Sequence, residues 1–423
     1  MKRNPRYFSV CGAMRANLAV SLLAAGAFVG AAASAHASLY QLTSLVTDDM
    51  ANNNPNGLLA SLGLPPAAHF DANLINPWGV SFTPTSPYWV SDNNTGFSTL
   101  YTAAGVQASP PSPVTIADAA SPANPTGQVF NGNSNLFIVN NGLPPGNPNF
   151  KSGSANFIFD TENGTISGRS NAVAASQSFI AVDNSPSGAV YKGLAIATNT
   201  NGTFLYAANF NSGKIDVFDS NFKPAQGFSF TDPSPPPVPP GTPSGQNWAP
   251  FNVYNDGKGH IFVSYALQNA AKHDDVAGPG NGFVDEFDTN GNFIKRVATG
   301  GVLDSPWGLD IAPAGFGAFA NDLLVGNFGN GTINVFDPST DLLVGTLTDS
   351  NGNPIVIGDL WALVSGNDST GSDPNAVYFT AGLMNEAHGL FGDLAAVPEP
   401  GSLALLVTGL TGLMWLRRRR PAR

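Results

Sequence analysis

The densest run of ionisable side chains in this 423-residue chain is Lys272-His273-Asp274-Asp275. The adjacent carboxylates of Asp274 and Asp275, with nearby carbonyls and Asn281, offer the hard oxygen ligands that Ca²⁺ takes. The alternative is a solvated loop ordered by aspartates that cap backbone amides. A second set, Asn385-Glu386-Ala387-His388, places a carboxylate two residues from an imidazole. A carboxylate that orients an imidazole is the least that general-base chemistry needs, but no nucleophile or oxyanion donor accompanies this pair. A third set, Asn76, Asn252, Asp310 and Asp359, stands at or near the start of four separate strand-like segments. Together they would supply enough oxygen donors for one shared ion, as in a calcium-dependent hydrolase or lactonase, if the fold brought them to a common axis.

Other chemistries find no support. The chain has no nucleophile elbow, no His-Glu-x-x-His and no phosphate loop, and its glycine-rich stretch at residues 278 to 282 leads into a strand rather than a helix N-terminus. Outside the N-terminal segment the histidines are His69, His260, His273 and His388, scattered without paired metal spacing, which argues against zinc. No cofactor is assigned beyond the possibility of Ca²⁺.

The termini explain much of the charge. From Met1 to Ala37 there is no acid; Lys2, Arg3, Arg6 and Arg15 precede an apolar run from Leu18 to Ala33 that closes on Ala35-His36-Ala37. This pattern predicts a signal peptide over residues 1–37, with a retained N-terminal membrane helix as the alternative. At the other end, residues 401–416 carry no charge and are followed by Arg417, Arg418, Arg419 and Arg420. As a helix that segment spans roughly 24 Å against a hydrocarbon core of roughly 30 Å, a short span that needs arginine snorkelling. Pro398-Glu399-Pro400 stands just ahead of it. The order of Pro-Glu-Pro, apolar span and terminal arginines over residues 396–423 resembles the PEP-CTERM sorting signal of bacterial surface proteins. That resemblance implies an exosortase as processing partner and a transient inner-membrane anchor. It also implies delivery to the outer surface or exopolysaccharide matrix of a Gram-negative-type cell. A plain C-terminal anchor that is never cut is the alternative.

Between the ends, nine bases face all 29 acids, so the body carries about −20. Nucleic acid and anionic membranes are therefore unsuitable partners. The single cysteine, Cys11, falls within the signal segment, so the body has no disulfide and must rely on a large core or a closed architecture. Asp outnumbers Glu by 25 to 4, and Asp favours turns where Glu favours helix interiors, so helix is expected to be scarce.

A repeat organises the body. Six hairpins, centred on Gly96, Gly164, Gly213, Gly282, Gly331 and Gly389, each join two strands, most through Asn/Gly-rich turns suited to positive φ. Ahead of each lies a shorter segment: INPWGVSF, NPTGQVF, YKGLAIA, APFNVY, SPWGLDIA and DLWALV. The mean spacing of about 57 residues exceeds the ~40 to 50 of common propeller repeats, with long loops as the surplus. Small innermost strands followed by hairpins predict an all-β chain folded as a single six-bladed β-propeller over residues 38–395. The strand LYQLTSLV at residues 39–46 has no partner near it in sequence and is expected to close the last blade. Trp78, Trp307 and Trp361, with Trp248 close to another segment, either ring one mouth of the channel or pack between blades. The Pro-rich stretch from Asp232 to Pro243 reads as a surface spacer between blades three and four.

The segments NPWGVSF, YKGLAIA, SPWGLDIAP, LLVGNFGNGTINVFD and YFTAGLMNEAHGLFG are also similar to the blade motifs of a bacterial propeller family that often carries PEP-CTERM tails. The likeness spans roughly residues 39–395 and departs at Arg169, where that pattern has Trp. It implies fold and address but no reaction. Two function classes follow: a non-catalytic surface or matrix protein that binds exopolysaccharide or surface proteins, and a calcium-dependent propeller hydrolase.

Overall fold

The computed structural model describes residues 39–51, 57–108 and 112–397. The expected signal peptide and the sorting residues Pro398, Glu399, Pro400 and Arg417 to Arg420 lie outside the described residues. Among the described residues no helix is long and apolar enough to cross a membrane.

The body is a six-bladed β-propeller. From axis to rim, blade 1 consists of Pro77–Ser81, Tyr88–Asp92, Phe97–Tyr101 and Val114–Thr115. Blade 2 runs Pro125–Phe130, Phe157–Thr161, Thr165–Arg169 and Phe179–Asp183; blade 3 has Tyr191–Asn199, Gly202–Asn209 and Lys214–Phe218. Blade 4 runs Trp248–Asn255, His260–Leu267, Phe283–Asp288 and Phe293–Thr299; blade 5 runs Pro306–Ile311, Leu323–Asn327, Ile333–Asp337 and Leu342–Thr346. Blade 6 begins with Leu360–Ser365, Val377–Ala381 and Leu390–Ala396, and its next strand is Tyr40–Thr47 from the opposite end of the body. Each inner strand packs against the next, and that of blade 6 packs against that of blade 1, so the ring is closed.

Seven buried apolar clusters hold this ring. Six sit between successive blades, as where Trp89 and Leu100 of blade 1 meet Phe157 and Phe159 of blade 2. Second strands such as Tyr88–Asp92, Phe157–Thr161 and Val377–Ala381 are buried at every position, so both faces of a blade pack against its neighbours, as a ring of radial sheets demands. The seventh cluster fills the axis. Blade 3 lacks a fourth strand, and an inserted hairpin, Ile138–Asn140 with Ser152–Ser154, stands beside it: Phe137 packs on Phe222 with ring centroids 5.3 Å apart. The hairpin itself packs on blade 2, with Val139 against Gly168 and Gly153 against Ala172, while the last strand of blade 3 is met by its own return, the Ala225 N–H donating to the Val217 carbonyl at 2.8 Å. The Pro-rich stretch is anchored to blade 4, where Asp232 pairs with Arg296 and the Pro236 carbonyl accepts from Trp248 Nε1 at 2.9 Å.

Gly96, Gly164, Gly213 and Gly331 take positive φ, as the hairpin turns require. Gly282 and Gly389 do not, and their role is different: a Cβ on Gly282 would lie 2.3 Å from Pro306 Cδ, and one on Gly389 would lie 1.8 Å from the Leu74 carbonyl oxygen. At those two hairpins glycine permits close approach between segments rather than a left-handed turn.

Candidate functional site at the axial mouth

Aligning the six inner strands by their pairing places one residue of each in a common ring: Trp78, Thr126, Lys192, Phe251, Trp307 and Trp361. Contacts between non-neighbouring blades put this ring on the axis. Trp307 Nε1 donates to the Lys192 carbonyl at 2.8 Å, and Phe251 meets Trp361 with centroids 5.9 Å apart. The expectation that bulk is excluded from the axis therefore holds only one residue further along. There Gly193 packs so tightly that a Cβ would lie 2.2 Å from Asn252 Oδ1. The tryptophans are 1 to 3% exposed, so they plug the channel and offer no surface on which a sugar could stack. Trp248 stands apart, edge-on to Phe283.

A second ring lies toward the end where the inner strands begin. In each blade the residue after the second strand donates its backbone N–H to the segment before the inner strand, as Asn93 does to Asn76 at 3.0 Å and Glu162 to Asn124 at 3.1 Å. The equivalent residues are Phe210, Gln268, Phe328 and Gly382. Asn93, Glu162 and the loop residues beyond this ring form the polar mouth.

Lys192 is its centre. The side chain is 3% exposed; its ammonium pairs with Glu162 and lies 3.4 Å from Asp274 Oδ1 and 5.2 Å from the Trp78 ring centroid. Burial opposes the charge, but the carboxylates of Glu162 and Asp274 outweigh it and hold the ammonium pKa above its ordinary value. Glu162 Oε2 accepts from Asn93 Nδ2 at 3.0 Å. His273 Nδ1 donates to Asp274 Oδ1 at 2.7 Å; this bond raises the imidazole pKa and lowers that of Asp274 to about 2. Glu386 enters from blade 6, its Oε2 accepting from Asn76 Nδ2 at 2.6 Å. Burial and then repulsion from Glu162 push its carboxyl up to about 7. It ends a run, Met384-Asn385-Glu386, whose three residues all have φ between 55° and 66°, a conformation that costs non-glycine residues energy and concentrates at functional sites.

The sequence candidates are distributed unevenly over this geometry. Asp274 joins Glu162 and His273, whose ligand atoms all lie within 4.8 Å of one another; Asp275 is not one of the three, and burial raises its pKa. Asn76 touches Glu386, and Asp359 holds the same loop by accepting from the Asn385 N–H at 2.8 Å. Asn252 and Asp310 are engaged elsewhere, Asn252 donating to the Trp307 carbonyl and Asp310 accepting from Tyr254 and Ser365. Lys272 is exposed and Asn281 donates to the Val276 carbonyl. Glu386 does not orient His388: the imidazole instead bonds Asp48 at 2.9 Å, tying the end of the closing strand to blade 6. Arg169 lies over the Trp89 ring at 5.0 Å, packed between blades 1 and 2. Glu162, Lys192 and Asn93 escaped the sequence reading, although alignment of the inner strands shows lysine alone carrying charge at its ring position.

Chemically, the mouth combines the Glu386 carboxyl, pushed up to about 7 by burial, the carboxylates of Glu162 and Asp274, an ammonium, an imidazole and the side chains of Asn76, Asn93 and Asn94, the last donating to the Glu386 carbonyl at 2.7 Å. It can exchange a proton, accept hydrogen bonds from hydroxyl groups or surround a cation with O and N ligands.

The PEP-CTERM protein-sorting motif matches residues 396–420, which implies export, membrane-associated sorting and processing by an exosortase. Uncharacterized protein L690 of Acanthamoeba polyphaga mimivirus is 33% identical over 78% of this chain and 82% of its own length. Uncharacterized protein R648 of the same virus is 32% identical over 78% and 76%. Among solved structures, a glucose dehydrogenase aligns over 77% of this chain and 98% of that chain at 13% identity and a TM-score of 0.43, too slight a likeness to carry chemistry across.

Proposed function

The chain belongs to the family of the mimivirus proteins L690 and R648, and from its sorting motif and its axial mouth we propose that it is an exported binding propeller rather than an enzyme. Processing at the tail delivers it to the outer surface or the extracellular matrix, where the mouth takes a hydroxyl-rich ligand such as matrix polysaccharide. One observation carries this reading: the carboxylates of Glu162, Asp274 and Glu386 and the exposed amide of Asn94 gather at Lys192, with the buried amides of Asn76 and Asn93 holding Glu386 and Glu162 in place, a set suited to multiple hydroxyl groups. Binding then rests on hydrogen bonds, because the aromatic rings lie buried beneath the lysine. A glycan array tests it. The wild type should bind a restricted set of oligosaccharides, and Asp274→Asn with Glu386→Gln should lose them while retaining the native melting temperature within a few degrees. Absence of any bound glycan, or identical binding by the double variant, overturns the reading.

A calcium-dependent hydrolase or lactonase is the second reading, favoured by the proximity of the ligand atoms of Glu162, His273 and Asp274. Lys192 weighs against it, since its ammonium already neutralises the oxygens that a divalent ion would need.

A further inference from the structure

A cavity of about 320 Å³ lies between blades 1 and 2, a volume at the lower end of the ~300 to 1,000 Å³ of small-molecule sites. Thr83 and Ser86, from the loop after the inner strand of blade 1, and Phe130, the last residue of the inner strand of blade 2, form part of its wall. It therefore stands at the end of the propeller opposite the polar mouth. Trp89, Leu100 and Phe157 make the wall largely apolar, and its one charged side chain is Arg169, 3% exposed.

Of the two arginines in the propeller, Arg296 is engaged by Asp232 and Asp285, whereas Arg169 pairs with no carboxylate among the described residues. Its Nε donates to the Ala175 carbonyl at 2.9 Å, and its guanidinium carbon lies 5.0 Å from the Trp89 ring centroid, which holds the group in place. The Nη1–Nη2 edge donates to none of the described residues. Unlike the unpartnered Trp78 Nε1, it is not shut off from solvent, so what area it keeps is reached through the cavity it lines. Burial is the one cause that shifts the guanidinium pKa, and it lowers it, as for a charge that no neighbouring carboxylate offsets. A buried charge in a folded protein is ordinarily paired, and here the position of the missing anion is open.

We propose that this cavity is a second binding site, for a small organic carboxylate whose two oxygens take the Nη1–Nη2 edge of Arg169 and whose apolar body lies against Trp89, Phe130 and Phe157. The planar two-donor edge matches a carboxylate, and the apolar wall favours an anion that carries rings over a bare inorganic one. The site stands apart from the polar mouth and from the glycan reading, since Lys192 lies at the other end of the ring.

Calorimetric titration of the exported chain with 2-naphthoate tests it. Saturable binding of one molecule per chain is expected. 2-Naphthamide has the rings without the charge and acetate the charge without the rings, so each should bind at least about tenfold more weakly. Arg169→Met, which keeps the packing of the stem, should lower 2-naphthoate binding to the level of the amide, leave amide binding and circular dichroism unchanged, and remove the rise in melting temperature that 2-naphthoate gives the wild type. Arg169→Lys keeps the charge but not the two-donor edge, and should also weaken 2-naphthoate at least about tenfold, so that the test stands even where the Met variant does not fold. Absence of saturable binding, equal affinity for acid and amide, or 2-naphthoate binding undiminished in either variant overturns the proposal.

Discussion

The indole rings of Trp78 and Trp361 stack across the seam where the first blade meets the last, with centroids 3.4 Å apart and planes 19° apart. The propeller is thus closed twice, at the axis by this pair and further out by the N-terminal strand paired to Leu390–Ala396. The two indoles differ in one respect. Trp361 Nε1 donates to the buried Oδ1 of Asn76 at 2.9 Å, whereas Trp78 Nε1 has no partner.

That difference predicts an asymmetry. Trp361→Phe strands the Asn76 acceptor and should cost about 1 to 3 kcal/mol beyond the lost ring area, while Trp78→Phe removes an already unsatisfied donor and should cost less. Either change to Ala should cost about 3 to 5 kcal/mol. Urea-unfolding midpoints check the order; equal costs for the two Phe variants would refute the assigned hydrogen bond.

Outer closure gives a second prediction. Deleting residues 39–46 removes the partner of Leu390–Ala396 and the Tyr40 hydroxyl that donates to the Phe316 carbonyl at 3.0 Å. The open edge and the exposed apolar faces of blade 6 should abolish recovery of soluble monomer. Normal size-exclusion behaviour of the truncated chain would show that the axial stack alone suffices.

The blades could be read from the sequence because each is local: a short strand, a turn glycine and an alternating partner fall within some tens of residues. Closure could be read from the unpaired strand at residues 39–46 for the same reason, as an imbalance in a local count. The axial plug could not, since Trp307 bonds a carbonyl 115 residues away and Trp361 an amide 285 residues away, and no period announces such contacts. Lys192 was hidden in the same way. Its ring position is visible only once six strands are in register, and its partners Glu162 and Asp274 come from blades on either side. Asp274 was legible as part of a charged run, while its neighbour Asp275 shows that adjacency in sequence does not place two carboxylates on one ion.

Lys192 supplies a third prediction, which separates the two functional readings. Lys192→Met leaves Glu162 and Asp274 facing each other without a countercharge, and should destabilise the fold by about 3 to 5 kcal/mol. A divalent ion can then replace the ammonium. Millimolar CaCl₂ should raise the variant's melting temperature more than NaCl of matched ionic strength, while the wild type responds equally to both. A calcium-specific rise in the wild type would favour the metal-dependent reading.

The tail gives a fourth. Deleting Pro398 to Pro400 should leave the full-length chain in the inner membrane, where the wild type is processed and released to the surface. Cell fractionation with an antibody to the propeller checks this, and identical distribution of both forms would establish a plain anchor.

The last prediction concerns pH. Asp310 is 4% exposed, and burial pushes its carboxyl up to about 7 even though Ser365 and Tyr254 donate to it and oppose the shift. Burial does the same to Asp160. Between about pH 4 and 7 such a group holds a proton in the folded chain that the unfolded chain has released, so protonation favours the fold and stability declines as pH rises through 7. The slope is at most about 1.4 kcal/mol per pH unit for one group. Asp274, shifted down to about 2, contributes in the opposite sense, but its contribution changes only below about pH 4 and leaves the neutral window untouched. His273, shifted up, reinforces the decline. The melting temperature should therefore be higher at pH 5 than at pH 8. Asp310→Asn, which keeps an acceptor for the Tyr254 hydroxyl but cannot ionise, should flatten that dependence by one group's share. An unchanged slope in the variant would mean that Asp310 is ionised in the fold throughout this range, and that its two hydroxyl donors outweigh its burial.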